Sequence, residues 1–411
     1  MKIAMFTDAY FPRINGVTVS VHSFAEELTK LGHEIAIVCL EYTEEQQKSS
    51  FFDESSDDAL PFKIIRIPSS RVVFSKEDRM GRLDKWHFVK KAMDAFKPDV
   101  VHINSEFVAG YFGSIYARHR RIPSVFTFHT LWEDYLANYM TYVPKRSSRK
   151  LGKEVVRFYL KRTDVIIAPT KRIAEVVKEY GIDRESHIIP TGIPSSKLAF
   201  SKKQNNIVIN RINKKFPGIR GKKILLYVGR VVKEKNLEFL FDVLREVQKT
   251  MPKTALLLVG GGPALSELQE KAKELGLEKS VFFTGYIEGS NLIYFYRRAD
   301  VFTFPSKTET QGLVTVEAML SGLPVVAIGE MGTLDVMQGD NGGFMVSDDV
   351  TEFTGRVLEL LKNKKLHEEK SREAMDWAEK WKISSLTPTL VECYEEAIRI
   401  HETKHRRQET K

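Results

Sequence analysis

Short apolar runs alternate along the chain with longer segments in which apolar positions recur every three or four residues, and the pattern begins at the first residues. Ile3 to Thr7 reads as a strand, Val17 to about Leu31 as a helix closed by Gly32, and Ile35 to Leu40 as a second strand, which together form a βαβ unit. Further strands are predicted at Val100 to Asn104, Ser124 to His129, Val165 to Thr170 and Ile188 to Pro190, giving a parallel, doubly wound sheet. The polar insert Glu41 to Ala59 has few order-promoting residues and is expected to be a mobile surface loop. Between Ser195 and Lys223 the chain is rich in Ser, Lys, Asn and Gly and shows no clear period, so the crossing between two lobes is placed there. Strands resume at Ile224 to Gly229, Ala255 to Val259, Val281 to Thr284, Val301 to Pro305 and Val325 to Ile328, with a helix from Asn236 to Thr250, which predicts a second sheet of the same kind. Helices around Thr351 to Leu361 and His367 to Lys380 follow, then a last amphipathic helix over about 384–403 and a basic tail, 404–411.

Length agrees with this division: 411 residues exceed one ordinary core, and two lobes imply a cleft between them. Only Cys39 and Cys393 occur, far apart and without Cys-x-x-Cys or Cys/His ligand spacing, which points to a reducing compartment and away from a structural zinc. No run reaches the roughly 18 apolar residues of a membrane span. The expectation is a cytoplasmic chain whose membrane contact, if any, is peripheral. The net charge is +9, and most of the excess lies in one segment. Lys145, Arg146, Arg149, Lys150, Lys153, Arg157, Lys161, Arg162, Lys171 and Arg172 are opposed there only by Glu154 and Asp164. Such a field suits anionic lipid, nucleic acid or an anionic substrate, and charge alone does not choose.

Open α/β sheets bind ligands beyond the carboxyl ends of their strands, and the informative residues stand there. After the first strand, Asp8 to Val17 forms a long loop with Gly16 where the helix begins; its amides can face an anion, or the glycine only relieves a turn. In the second lobe Gly229 is followed by Arg230 and then Lys235-Asn236, two cations that fit either a diphosphate clamp or a surface charge pair. Gly260-Gly261-Gly262-Pro263 makes a close-approach turn before another helix. The segment Pro305 to Met319 is the most telling, because Glu309 and Glu317 flank a new helix N-terminus at which the amides of Gly312, Leu313 and Val314 can receive phosphate oxygens. Carboxylates suit sugar and ribose hydroxyls, since each accepts two hydrogen bonds from a vicinal diol. A capped helix with a buried, paired Glu is the competing reading.

Glu309-Thr-Gln-Gly-Leu-Val-Thr-Val-Glu317-Ala-Met followed by Ser321-Gly-Leu-Pro-Val-Val resembles the signature of glycosyltransferase family 4, the retaining enzymes of GT-B architecture. Gly229-Arg230 with Lys235-Asn236, the Asn15-Gly16-Val17 loop and Phe126-Thr-Phe-His129-Thr stand in the order such enzymes show, so the resemblance spans nearly the whole chain. It implies an α/β GT-B fold, two Rossmann-like domains facing a central cleft. Residues 1–195 would bind the acceptor and 196–383 the nucleotide-sugar, with the terminal helix packing back on the first domain. Glu309 would hold donor sugar hydroxyls, Glu317 the ribose diol, Arg230 and Lys235 the diphosphate, and Gly16 would let the first lobe approach it. His129 would line the reaction centre. No Asp-x-Asp pair is present to hold Mg²⁺, whereas Arg230, Lys235 and the helix amides supply fixed positive charge, so no metal or other cofactor is expected. The resemblance also implies front-face attack, the leaving phosphate oxygen taking the acceptor proton.

Asn138-Tyr-Met-Thr-Tyr-Val-Pro144 and the basic helix after it are similar to bacterial diacylglycerol glucosyltransferases, which implies UDP-glucose or UDP-galactose as donor, a lipid acceptor and an anionic membrane surface at the inner face of the cytoplasmic membrane. Val155, Val156, Phe158, Tyr159 and Leu160 interleave with Lys153, Arg157, Lys161 and Arg162, as in a helix lying on anionic lipid; the alternative is a helix that packs its apolar side on its own lobe. Lys145, Arg146, Arg149, Lys150, Lys153, Arg157 and Lys161 are the expected membrane contacts. Three rivals remain at this level. One is a soluble thiol, sugar or polyol acceptor. A second is a nucleotide-dependent oxidoreductase, weakened because the first strand lacks a Gly-x-Gly-x-x-Gly turn. The third, a nucleic-acid-binding module, has no recognised motif beside the charge, so nucleic acid is not an expected partner.

Overall fold

The computed structural model describes residues 1–13, 15–43, 57–72, 75–129, 145–194, 198, 202–287, 289–309, 311–330, 332–339 and 341–409. Most of the insert expected to be a mobile loop, and all of Asn138 to Pro144, lie outside them. The chain folds as two units, one made of residues 1–192 and 383–411, the other of 193–382.

The first unit runs β1 (Lys2–Phe6), α1 (Gly16–Lys30), β2 (Glu34–Leu40), β3 (Lys63–Ile67), β4 (Ser69–Val72), β5 (Ser75–Gly81), α2 (Trp86–Phe96), β6 (Val100–Ile103), α3 (Val108–Arg120), β7 (Ser124–Thr127), α4 (Lys145–Arg162), β8 (Val165–Ala168), α5 (Lys171–Glu179) and β9 (Ser186–Ile188). Seven strands form one sheet in the order β3-β2-β1-β6-β7-β8-β9, all parallel, while β4 and β5 pair as a separate antiparallel hairpin. The central strands β1, β6 and β7 are buried almost throughout, which is why they read as unbroken apolar runs rather than alternating ones. Asn15 caps α1, its Oδ1 accepting the Thr18 N–H at 2.8 Å, and Thr170 caps α5 through the Ile173 N–H at 3.2 Å.

The second unit runs α6 (Lys202–Lys215), β10 (Lys223–Val228), α7 (Phe239–Thr250), β11 (Thr254–Val259), α8 (Leu265–Glu274), β12 (Val281–Gly285), α9 (Gly289–Arg298), β13 (Val301–Phe304), α10 (Leu313–Leu320), β14 (Val325–Ile328), α11 (Gly332–Val336), β15 (Gly343–Val346), α12 (Val350–Lys362) and α13 (Lys364–Ala378). Its six strands lie parallel in the order β12-β11-β10-β13-β14-β15. The interval Ser195 to Lys223 differs from expectation: it holds α6, a helix whose sequence KKQNNIVINRINKK offers few apolar anchors, with Ile212 buried and Ile207 exposed.

The terminal helix α14 (Ile383–Glu409) belongs to the first unit. Leu390, Cys393, Tyr394 and Ala397, spaced along one face, are buried in a core shared with α1 and the sheet. Near its far end Lys404 Nζ reaches Asp164 Oδ1 at 2.8 Å. Both cysteines are buried and free, and burial pushes each thiol up to about 12.

Candidate active site

In each sheet the strand order reverses at one place, between β1 and β6 in the first unit and between β10 and β13 in the second. Loops leaving strands on either side of such a switch point diverge and leave a crevice at the carboxyl ends, where α/β proteins bind ligands. Of the sequence-predicted residues, Lys235, Glu309 and Gly312 stand on the loops that follow β10 and β13, while His129 follows β7, the neighbour of β6.

In the second unit the loop after β10 brings Lys235, and the loop after β13 brings Ser306 and Glu309. Lys235 Nζ donates to Glu309 Oε2 at 2.9 Å and to the Ser306 hydroxyl at 3.2 Å. The lysine side chain is 9% exposed and that of Glu309 24%, so the pair is largely desolvated. An ammonium has three protons, and these contacts use two. The Glu309 main chain is itself fixed, its carbonyl accepting the Gly332 N–H at 2.8 Å. Gly312 then sits at the N-cap of α10 with φ 63°, a left-handed conformation that a side chain resists, and its carbonyl accepts from Thr315 N–H. The first amides of a helix have no partner within the helix itself.

Glu317, one turn into α10, is buried. Tyr296 on α9 donates to its Oε2 at 3.0 Å, and the same hydroxyl lies 3.3 Å from the Val314 carbonyl. Burial, followed by the neighbouring Glu317 charge, drives the Tyr296 hydroxyl well above its ordinary range, so it acts as a donor at any working pH. Arg230 is placed differently: its guanidinium pairs with Glu234 at 3.0 Å, and its side chain is 72% exposed. The structure therefore joins Lys235 to Glu309, and leaves Arg230 on the rim. The glycine turn is a true close approach, since a Cβ at Gly260 would lie 1.8 Å from the Gly229 carbonyl oxygen and one at Gly262 2.2 Å from that of Val231.

In the first unit a Cβ built on Gly16 meets no described atom within 4 Å, and the residue lacks a positive φ. Relief of a turn is thus not what requires glycine there. Asp8, after β1, accepts from the Ser105 hydroxyl at 2.6 Å and the Ala109 N–H at 3.0 Å, joining the β1 and β6 loops, and burial raises its carboxyl. His129, after β7, lies with Nε2 3.2 Å from Asn104 Oδ1; burial pushes its imidazole down to about 4. Ser306, Tyr296 and Asn104 were not singled out in the sequence, for no local pattern marks them.

The basic helix α4 corrects one expectation. Val156, Tyr159 and Leu160 are buried in the core of their own unit, Tyr159 stacked on Phe126 at 5.4 Å and donating to the Glu106 carbonyl at 3.1 Å, so these residues do not face lipid. Arg157 pairs with Glu154 at 2.9 Å, and Lys153 reaches the Glu179 carbonyl at 3.2 Å. Lys150, Leu151 and Lys161 are exposed. The side chains of Lys145, Arg146 and Arg149 lie outside the described residues. No described helix is long and apolar enough to cross a membrane.

Residues 14–197 match the family described as Glycosyltransferase Family 4, and residues 209–377 that described as Glycosyl transferases group 1. The chain is 33% identical over 333 residues to an alpha-monoglucosyldiacylglycerol synthase of Streptococcus pneumoniae, covering 80% of this chain and 71% of the relative. It is 31% identical over 373 residues to the enzyme of the same description from Acholeplasma laidlawii, covering 88% and 89%. Among solved structures it resembles Anabaena Alr3699/HepE in complex with UDP, with TM-score 0.72, 16% identity and coverage of 95% of this chain and 99% of that one. Two parallel Rossmann-like sheets with this order, and these matches, place the chain in the GT-B glycosyltransferases of family 4 and group 1.

Proposed function

We propose that this glycosyltransferase moves glucose or galactose, with retention and without a metal, from a UDP-sugar to a membrane lipid such as diacylglycerol, forming an α-glycosyl glycolipid at an anionic surface. The observation that carries the donor half is the buried Lys235 held between Glu309 and Ser306 beside the N-terminus of α10. Breaking the bond between the anomeric carbon and the phosphate oxygen leaves negative charge on UDP, and an ammonium with helix amides stabilises charge that develops there. The acceptor hydroxyl oxygen bonds to the anomeric carbon on the face that UDP leaves, and its proton passes to the departing phosphate oxygen. Glu309 holds donor sugar hydroxyls, Glu317 the ribose diol, and Gly312, Leu313 and Val314 offer amides to the diphosphate. Arg230 joins that charge once it leaves Glu234, and His129 takes part in holding the transferred sugar.

The lipid half draws on the relatives, both described as alpha-monoglucosyldiacylglycerol synthases, and on the exposed Lys150, Leu151 and Lys161 of α4. The donor nucleotide draws on the neighbour whose structure holds UDP. The test is release of UDP from UDP-glucose and UDP-galactose, with GDP-mannose as a control, in EDTA, with and without diacylglycerol in anionic vesicles. Turnover that needs the lipid, survives EDTA and disappears in Glu309→Ala supports the proposal. Turnover only after a soluble sugar, thiol or polyol is added overturns its acceptor half, and loss of activity in EDTA overturns metal independence.

A further inference from the structure

The carboxyl ends of β6 and β7 carry a series of hydrogen bonds that reaches back to the terminal helix. Tyr394 of α14 has its hydroxyl 2.8 Å from Nδ1 of His102, and Nε2 of that ring is 2.7 Å from the Thr127 hydroxyl. The His102 backbone carbonyl faces Asn104 Nδ2 at 3.4 Å, and Asn104 Oδ1 faces His129 Nε2 at 3.2 Å. His102, Asn104, Thr127 and Tyr394 are all buried, which shields the series from competing water.

The orientation of the Asn104 amide decides what His129 does. A carbonyl oxygen only accepts, so the amide must turn its NH₂ toward His102; the reverse orientation would set two oxygens against each other. That leaves Oδ1 toward His129, and an oxygen there calls for a proton on Nε2. With its pKa pushed down to about 4, the His129 ring carries a single proton near neutral pH. A ring protonated only at Nε2 has a bare lone pair at Nδ1.

We infer that Asn104 is a positioning residue that locks His129 in the Nε2–H tautomer and so presents Nδ1 as a hydrogen-bond acceptor for a substrate hydroxyl. The hydroxyl clause rests on the proposed part of His129 in holding the sugar; the tautomer does not. Such an acceptor recognises a group that brings its own proton. It welcomes a sugar hydroxyl and rejects a fluorine or an ether oxygen at the same position.

The full chain labelled with ¹⁵N-histidine tests this by ¹H–¹⁵N correlation through the ring, the His129 signals being assigned from their absence in His129→Gln. The expected spectrum shows a protonated Nε2 and an unprotonated Nδ1. Asn104→Leu, of similar volume, loses that pattern and populates the Nδ1–H form, while kcat/KM for the UDP-hexose falls about tenfold, as expected for the loss of one substrate hydrogen bond. A wild-type ring protonated at Nδ1, or an Asn104→Leu ring still protonated only at Nε2, overturns the lock. Full kcat/KM in His129→Gln leaves the lock standing and overturns the substrate clause.

Discussion

Lys235 and Glu309 form a contact that bears on stability and, under the proposed function, on chemistry. With the ammonium 9% exposed, removing its carboxylate leaves a desolvated charge with one hydroxyl acceptor. Glu309→Ala is expected to lower unfolding free energy by about 1–3 kcal/mol in urea titrations, and to lower kcat/KM by about 10²-fold or more in the UDP-release assay. Tyr296→Phe separates the two effects at Glu317. It removes one donor from a buried carboxylate, so a cost of about 1–3 kcal/mol is expected, together with a rise in KM for UDP-sugar that exceeds the fall in kcat. Equal loss in both parameters would make Tyr296 a packing residue only. Gly16 offers the opposite case: with no described atom within 4 Å of the Cβ, Gly16→Ala should leave thermal stability intact or raise it slightly, while kcat/KM falls if a ligand must approach there.

At the scale of strands and helices, the crossing of backbones at the end of β10 and β11 is unforgiving. Gly260 has φ 141° and a carbonyl oxygen 1.8 Å from any Cβ, so Gly260→Ala should destabilise the second unit by about 3 kcal/mol or more, read as a lowered unfolding midpoint. The β6 and β7 ends set a pH dependence. His102 and His129 have imidazoles pushed down to about 3 and about 4, below the unfolded value of about 6.5. The unfolded chain therefore binds more protons in the interval between, so stability should fall as pH drops from about 6.5 toward 4, and His102→Gln should flatten that slope. The buried parallel strands were legible because their apolar runs are continuous, as at Leu225 to Val228 and Leu256 to Val259. The edge strand β15 was not, being four residues beginning in Gly343, nor was α6, whose polar sequence hides its period. Lys235 and Glu309 could be picked out because they follow strands, Glu317 because it stands eight positions beyond Glu309 across a helix start, and His129 only through the family resemblance. Their partners could not: Ser306 meets Lys235 across 71 positions, Tyr296 meets Glu317 across 21, and Asn104 meets His129 across 25, separations that only the sheet order resolves.

For the whole molecule, the net charge of +9 gains meaning from where it is exposed. Lys150 and Lys161 of α4 are open to solvent while Arg157 is paired with Glu154. Each lysine near an anionic surface contributes about 1 kcal/mol, so Lys150→Glu with Lys161→Glu should weaken binding to anionic vesicles at least tenfold, and rising salt should weaken the wild type likewise. Unchanged partitioning in flotation assays would remove α4 from the proposed surface. The central claim is tested most directly by isolating the product made from radiolabelled UDP-glucose or UDP-galactose and diacylglycerol vesicles in EDTA, and reading its anomeric proton coupling. A single hexose joined to diacylglycerol through an α linkage is the result predicted; label found only in free hexose or in a water-soluble glycoside, or a β-linked lipid, would contradict it.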